Sequence, residues 1–366
     1  MSTFSATDHT HMAHALRLAE RGLYTTMPNP RVGCVIVNQG NVVGEGWHER
    51  TGDPHAEVHA LRAAGERALG ATTYVTLEPC NHQGRTPPCT GALIQSGVAR
   101  VVAAMADPNP LVAGTGLLAL SDGGLEVAVG LMEHEARELN IGFVSRMTRG
   151  RPWFRMKVAA SLDGKTALNN GASQWITGAD ARADGHRWRA RSCGILTGIG
   201  TVKDDDPKLT VRDIATTRQP KKILIDSRLE VSHQAQLFDG GELSIFYSHG
   251  ESSKRHQLAA KGATLLALPN GQGKVDLNAM AQELGKCGIN EVLIEAGTKL
   301  NGALLGAGLV DELVIYLAPH LLGDSARGMF GLPELTALTD RIELQIKELR
   351  QIGNDIRVIA RPHVGN

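Results

Sequence analysis

The sequence predicts two α/β domains in tandem, and three observations carry that expectation. Apolar, β-branched runs alternate with segments of helical period along the chain, the pattern of strands covered by helices. The chain has 366 residues, more than one typical domain and suited to two or three. Thr148-Arg149-Gly150-Arg151-Pro152 falls between a helical segment and a strand and reads as a linker. The expected domains are therefore 1–149 and 150–366.

Composition sets the class. With 42% hydrophobic and 21% charged residues the chain reads as soluble and globular. Lys+Arg and Asp+Glu are both 38, so there is no broad basic field for a nucleic-acid backbone. Met1 to Ser5 shows neither the charged start nor the apolar segment of a signal peptide, and no apolar run is long enough to span a membrane. Five cysteines in such a length are no disulfide framework, which fits a reducing cytoplasm.

In the first half, His9 to Gly22 carries Met12, Leu16 and Ala19 at helical spacing, with Gly22 as a stop. A turn at Met27-Pro28-Asn29-Pro30 leads to a buried strand, Val32 to Val37. Asn38 to Asn41 turns the chain, and Val42 to Trp47 returns as a hairpin partner. His55 to Leu69 has helical period, which puts His55 and Glu57 at a helix N-terminus. Thr73 to Leu77 is a strand with Cys80 just beyond it, and Cys89 opens a helix through Ile94. Strands at Arg100–Met105 and Leu125–Val129 and a closing helix over Met132–Met147 complete a mixed-sheet sandwich.

The chemistry sits between His55 and Cys89. One imidazole (His55) and two thiolates (Cys80, Cys89) are three protein donors, the number a catalytic zinc uses while keeping a fourth corner for water. Zinc brings the pKa of that water to about 7. Glu57 reads as the base that takes the water proton and returns it to a leaving amine. A helix N-terminus at Cys89 favours its thiolate. His-x-Glu with Pro-Cys and a second Cys is the signature of zinc nucleobase deaminases, although here eight residues rather than two lie between the cysteines. A satisfied histidine and two buried thiols would not explain that ordered combination.

In the second half, Trp153 to Ala160 is a strand running into the turn Ser161–Lys165. Asp180 to Arg191 is a helix carrying Arg182, Arg187, Arg189 and Arg191, which reads as a solvated basic face. Cys193–Thr197 is a strand. The Gly198-Ile199-Gly200-Thr201 that follows lacks the third glycine of a dinucleotide fingerprint. Asp204-Asp205-Asp206 is a weak metal candidate without further carboxylates nearby. Lys221–Ile225, Ser244–Tyr247 and Glu291–Glu295 are strands. Ala296-Gly297-Thr298 then opens a helix over Lys299–Leu309, an anion site suited to a pyrophosphate. Val310–Leu317 and Asp355–Ala360 complete the sheet.

These motifs together resemble the bifunctional riboflavin-biosynthesis deaminase/reductase. The resemblance rests on Asn29-Pro30-Arg31-Val32-Gly33-Cys34, Gly44-Glu45-Gly46-Trp47-His48, Pro54-His55-Ala56-Glu57 and the Cys80–Cys89 loop with Gly84-Arg85-Thr86-Pro87-Pro88. In the second half it rests on Met156-Lys157, Ser161-Leu162-Asp163-Gly164, Ser173 to Thr177, Asp205-Asp206-Pro207, Leu209-Thr210-Val211-Arg212 and Glu295-Ala296-Gly297. It implies a cytidine-deaminase-like α/β/α sandwich followed by a dihydrofolate-reductase-like α/β domain. It implies zinc-dependent deamination of 2,5-diamino-6-(5-phosphoribosylamino)pyrimidin-4(3H)-one, then NADPH-dependent reduction of the ribosyl chain to ribityl.

By the same resemblance Asn29 and His48 contact the pyrimidine, with His82 also facing substrate. Ser173, Arg189, Leu209, Arg212 and Glu295 would hold the second substrate, the two arginines on its phosphate, and Lys157 would assist ring opening or imine formation. Ala159, Trp175, Thr201, Asp205, Ser227 and the run Gly297, Thr298, Lys299, Leu300, Asn301, Gly302 and Ala303 would touch NADPH. The expected partner is a small ribotide, with no nucleic acid and no membrane, and a homo-oligomer is open. A nucleic-acid base deaminase would want a basic groove, and a non-catalytic binder would not keep His55, Glu57, Cys80 and Cys89 intact.

Overall fold

The computed structural model describes residues 4–81, 88–110, 112–212 and 214–363. The chain divides into two compact units, Met1–Gly150 and Arg151–Asn366.

The first unit begins with α1 (Ala6–Glu20), earlier than periodicity suggested, because Ser5 and Asp8 form a reciprocal capping box. Then follow β1 (Gly33–Asn38), β2 (Asn41–Trp47), α2 (Ala56–Ala64), β3 (Thr72–Val75), α3 (Cys89–Gln95), β4 (Arg100–Ala103), α4 (Thr115–Asp122), β5 (Glu126–Val129), α5 (Glu133–Leu139) and α6 (Ile141–Arg149). Among the described residues the sheet order is β2-β1-β3-β4-β5, with β1 antiparallel to both neighbours and β3, β4 and β5 parallel.

Alternation along the strands builds two cores. Cys34, Ile36, Val75 and Val101 face Ala56, Ala60 and Ala64 of α2, Leu93 of α3 and Leu120 of α4. Val35, Val37, Tyr74 and Val102 face Met12 and Ala15 of α1 and Ala136 of α5. The result is helices on both faces of one sheet, the expected sandwich. The single closing helix expected over Met132–Met147 is instead two. Asn140 breaks it at φ −108°, because its amide accepts from the Arg31 N–H at 2.8 Å and donates to the Arg31 carbonyl at 2.9 Å. That side chain anchors the segment following Asn29.

The position of α2 depends on a close approach. A Cβ at Gly46 would lie 2.4 Å from the Ala56 carbonyl and 2.6 Å from the His59 Cβ, and one at Gly44 would lie 2.2 Å from the Ala60 carbonyl. Only glycine lets the helix that carries Glu57 lie this near β2.

The second unit contains β6 (Trp153–Ser161), β7 (Lys165–Ala167), α7 (Ala179–Arg191), β8 (Gly194–Gly198), α8 (Ile199–Asp205), β9 (Lys221–Ile225), β10 (Leu243–Tyr247), α9 (Ser252–Ala260), β11 (Ala263–Ala267), α10 (Leu277–Lys286), β12 (Glu291–Ile294), α11 (Thr298–Gly306), β13 (Glu312–Ala318), β14 (Arg327–Gly328), β15 (Leu344–Ile352) and β16 (Asp355–Pro362). Among the described residues its main sheet runs β11-β10-β9-β8-β12-β6-β13-β16-β15. The strands from β11 to β13 are parallel, and β16 and β15 close one side antiparallel. A parallel sheet of this kind offers a ligand crevice at the carboxyl ends of its strands. Among the described residues no helix is long and apolar enough to cross a membrane.

Candidate functional sites

In the first unit, His55 occupies the N-cap of α2, Cys89 opens α3, and Cys80 lies beyond β3. Their donor atoms all fall within 4.8 Å of one another. His55 Nδ1 is 3.3 Å from Cys89 Sγ and 3.5 Å from Cys80 Sγ. Zinc bonds of about 2.3 Å to sulfur and 2.0–2.1 Å to nitrogen put tetrahedral donors roughly 3.5 Å apart, so the trio fits the ion. The thiols support the same reading. Cys80 is drawn down to about 4, first by the hydrogen bond from the Cys89 thiol and then by His55. Cys89 is pushed far up by Cys80 and by burial. One proton is thus readily lost and the second needs a cation, which zinc supplies.

Glu57 lies in the first turn of α2 and is 3% exposed. Burial raises its pKa, against the backbone and His55, which lower it. A carboxyl that holds its proton more tightly than usual is suited to shuttling one. His48 stands edge-on to His55, with ring centroids 5.5 Å apart. Its Nδ1 meets the Pro54 carbonyl at 3.2 Å, and a carbonyl only accepts, so Nδ1 carries the hydrogen. Burial disfavours the charged ring. Nε2 therefore accepts from the Asn29 amide at 3.1 Å, which leaves the Asn29 carbonyl oxygen as an acceptor for a substrate amine or ring N–H. His82 lies outside the described residues.

The second unit encloses a cavity of about 2380 Å³. Lys157 and Ala159 on β6 and Ser173 and Trp175 before α7 line it, as do Arg189 on α7 and Thr201 and Asp205 on α8. Leu209, Arg212, Ser227 and Glu295 also line it, with Gly297, Thr298, Lys299, Leu300 and Ala303 at the start of α11. Asn301 and Gly302 are not among the lining residues. They are buried, Asn301 donating to the Met329 carbonyl and Gly302 packed against Gly331.

Gly198 and Gly297 are the N-caps of α8 and α11, so two helix N-termini meet one cavity. The Gly-x-Gly that lacks a fingerprint thus opens a second helix. The aspartate run does not converge. Asp204 pairs with Arg327, Asp205 accepts from Ser173 at 3.1 Å, and Asp206 accepts the Gln236 N–H at 2.9 Å.

Arg189 forks onto Glu295 at 2.6 and 2.8 Å and donates to the Thr210 carbonyl at 3.0 Å. Burial would push the Glu295 carboxyl up, but Arg189 outweighs it and brings it down to about 2. Burial lowers Lys157, opposed by Glu295 and reinforced by Arg189. An ammonium with a weakened hold on its proton can protonate a ring oxygen. Arg182 and His186 are among the lining residues that the sequence leaves unassigned. Arg182 stacks over the Trp175 ring at 4.7 Å, and His186 Nδ1 accepts the Arg212 N–H at 3.2 Å. Both lie on the helix that reads as a solvated face, and nothing local in it signals their neighbours.

Comparison with known proteins follows the same division. Residues 5–105 match the cytidine and deoxycytidylate deaminase zinc-binding region, and residues 152–358 match the RibD C-terminal domain. The riboflavin biosynthesis protein RibD of Escherichia coli is 51% identical over 95% of this chain and 98% of its own length. That of Aquifex aeolicus is 41% identical over 97% and 98%. Among solved structures, Acinetobacter baumannii RibD superposes with a TM-score of 0.92 at 44% identity, covering 98% of this chain and 99% of that one. A Thermotoga maritima protein described as a diaminohydroxyphosphoribosylaminopyrimidine deaminase/5-amino-6-(5-phosphoribosylamino)uracil reductase does so at 0.86 and 30% identity, with the same coverage. With three zinc donors in one half, a walled cavity in the other and relatives matched along nearly its whole length, the chain belongs to the RibD family of riboflavin biosynthesis proteins.

Proposed function

We propose that residues 1–149 deaminate and residues 150–366 reduce. The chain is a bifunctional enzyme of riboflavin biosynthesis with zinc in its deaminase half and NADPH in its reductase half. It converts 2,5-diamino-6-(5-phosphoribosylamino)pyrimidin-4(3H)-one and water to the 2-oxo compound and ammonia. It then reduces the ribosyl chain to give 5-amino-6-(5-phosphoribitylamino)uracil. The observation that carries the assignment is one chain holding a His/Cys/Cys donor set beside a buried glutamate and, in a separate unit, a cavity walled by Lys157 and two helix N-termini.

His55, Cys80 and Cys89 would hold zinc, which would supply a bound water with a pKa of about 7. Glu57 takes the proton of the attacking water and delivers it to the departing amine, so water adds and ammonia leaves without net proton change. Asn29 and His48 orient the pyrimidine edge, with His82 a further candidate. In the other unit the cavity would hold NADPH, which would supply the hydride for reduction of the opened ribose. Lys157 gives its proton as the ring opens. Ser173, Leu209, Arg212, Arg189 and Glu295 hold the ribotide. Ala159, Trp175, Thr201, Asp205, Ser227 and the start of α11 hold the dinucleotide, whose pyrophosphate is suited to the helix N-termini.

Glu57→Gln is expected to cut ammonia release by roughly 10²–10⁴-fold, the contribution of a positioned proton carrier. Zinc content and NADPH oxidation on supplied deaminated ribotide should be unchanged. Loss of NADPH oxidation in that variant would overturn the two-site assignment.

The substrate is a free ribotide, and the setting we propose is the reducing cytoplasm. We also propose a homo-oligomer formed along β15. Leu344, Ile346 and Leu349 are 45%, 65% and 68% exposed on this edge strand. They pair with Pro362, Ala360 and Val358, alternate residues of β16, so the bulge at Lys347 keeps all three on one face.

A further inference from the structure

Glu78 stands two residues before Cys80, and the chemistry above does not use it. It is 4% exposed, a depth at which a carboxylate requires partners. Its partners are four backbone N–H groups of one loop and the helix it enters. Asp107 and Gly114 donate to Oε2 at 2.9 and 3.0 Å, and Gly116 and Leu117 donate to Oε1 at 2.8 and 3.4 Å. The Glu78 N–H in turn donates to the Met105 carbonyl at 2.9 Å. One side chain therefore ties both ends of the loop that follows β4 and seats the first turn of α4, where partial positive charge suits a carboxylate.

The clamp bears directly on the metal donors. A Cβ at Gly116 would lie 2.0 Å from the Pro79 carbonyl, so the first turn of α4 rests against the backbone that leads into Cys80. On the other side of Cys80, Asn81 donates to the Thr115 carbonyl at 3.4 Å and accepts from Thr90 at 2.8 Å, the residue after Cys89. Loop, Cys80 and Cys89 form one hydrogen-bonded web with Glu78 at its root.

We infer that Glu78 is a positioning residue of the deaminase half: through Pro79 and the Asn81–Thr90 link it fixes the separation and aim of the two cysteine donors. This rests on the deaminase reading and adds a residue to it. Partners one shell beyond the ligands typically govern metal affinity by about 10–100-fold.

Two full-length variants test the inference. Glu78→Gln keeps the size of the side chain but turns an NH₂ toward two amide donors. Gly116→Ala keeps the Glu78 carboxylate but sets a methyl group against the Pro79 carbonyl and 3.1 Å from Glu78 Oε1, which pushes α4 off both. Zinc affinity is read by competition with a chromophoric chelator, and donor geometry by the visible absorption of the cobalt(II)-loaded chain. NADPH oxidation reports that the reductase half is folded, and a cooperative melting transition reports the same of the deaminase half. Both variants should bind zinc roughly 10–100-fold more weakly, with a displaced cobalt spectrum and unchanged NADPH oxidation. Wild-type zinc affinity in both overturns the inference while leaving the deaminase reading intact. So does a lowered melting temperature with an unaltered cobalt spectrum, since that is what a merely structural clamp would give. If Glu78→Gln does not fold, Gly116→Ala alone decides. A wild-type chain that binds no zinc overturns the inference and the metal site together.

Discussion

The arginines of α7 show how a residue's role depends on partners far away in sequence. Arg182, Arg187, Arg189 and Arg191 look alike on a helical wheel. Arg189 reaches Glu295, Arg191 reaches Glu291 at 2.8 Å, and Arg182 lies over Trp175, while Arg187 is 64% exposed. No local pattern could separate them. The zinc donors were legible because zinc imposes residue types and order, whereas an ion-pair partner can come from anywhere in the chain. Glu295 has a testable consequence. Its folded pKa of about 2 lies below its ordinary 4.5, so it stabilises the fold above about pH 4.5, and that stability is lost as pH falls toward 2. The contribution is at most roughly 3 kcal/mol. Glu295→Gln leaves Arg189 buried without its anion and should cost about 3–5 kcal/mol at pH 7. Urea unfolding at several pH values should show the gap to wild type narrowing between pH 4.5 and 2, and a constant gap would refute the linkage. Arg212 is the exposed counterpart, its backbone tied to His186. Arg212→Ala should lower kcat/KM for the ribotide by roughly tenfold or more, the worth of a hydrogen bond to a charged group. It should leave the dephosphorylated nucleoside almost untouched. Equal losses on both would make Arg212 structural.

Among the elements, β1, β2, β6, β8 and β9 were plain because continuous or alternating apolar runs bounded by turn residues read as strands in any context. β15 was not. Leu344-Gln-Ile-Lys-Glu-Leu-Arg-Gln-Ile352 loses its alternation at Lys347, where the bulge inserts a residue, and the remaining spacing mimics a helix. α4 carries no sequence signal, for a different reason. Its start is set by the Glu78 carboxylate from across the unit rather than by a capping residue of its own. α2 shows an element placed by what its neighbour lacks. Gly46→Ala would drive a methyl group into the Ala56 carbonyl at the turn bearing Glu57. It should cost about 1–3 kcal/mol, as overpacking does, and weaken zinc binding as α2 lifts away. Thermal unfolding and zinc titration check this. An unchanged midpoint and affinity would mean that the sheet yields instead.

At the scale of the molecule, the edge of the second sheet sets the oligomeric prediction. Exposed apolar side chains along a nine-residue edge strand are a surface that native proteins cover or charge. Ile346→Lys with Leu349→Lys should shift the chain to a monomer in light scattering at micromolar concentration. A wild-type chain that is already monomeric there would remove β15 as an interface. The division into two units followed from length and one basic, glycine-containing linker, while strand order did not, since order depends on pairings between distant segments. That order has a consequence for how the chain is made. β6 is the first strand of its sheet to leave the ribosome, but it pairs with β12 and β13, and about 130 residues separate Ser161 from Glu291. At about 5–20 residues per second, translation leaves both sides of an apolar strand unpaired for roughly 7–26 s. The first unit, whose strands all lie before Gly150, has no such interval. The burden on chaperones during synthesis therefore falls on the reductase half, and slowing translation lengthens the exposure of β6.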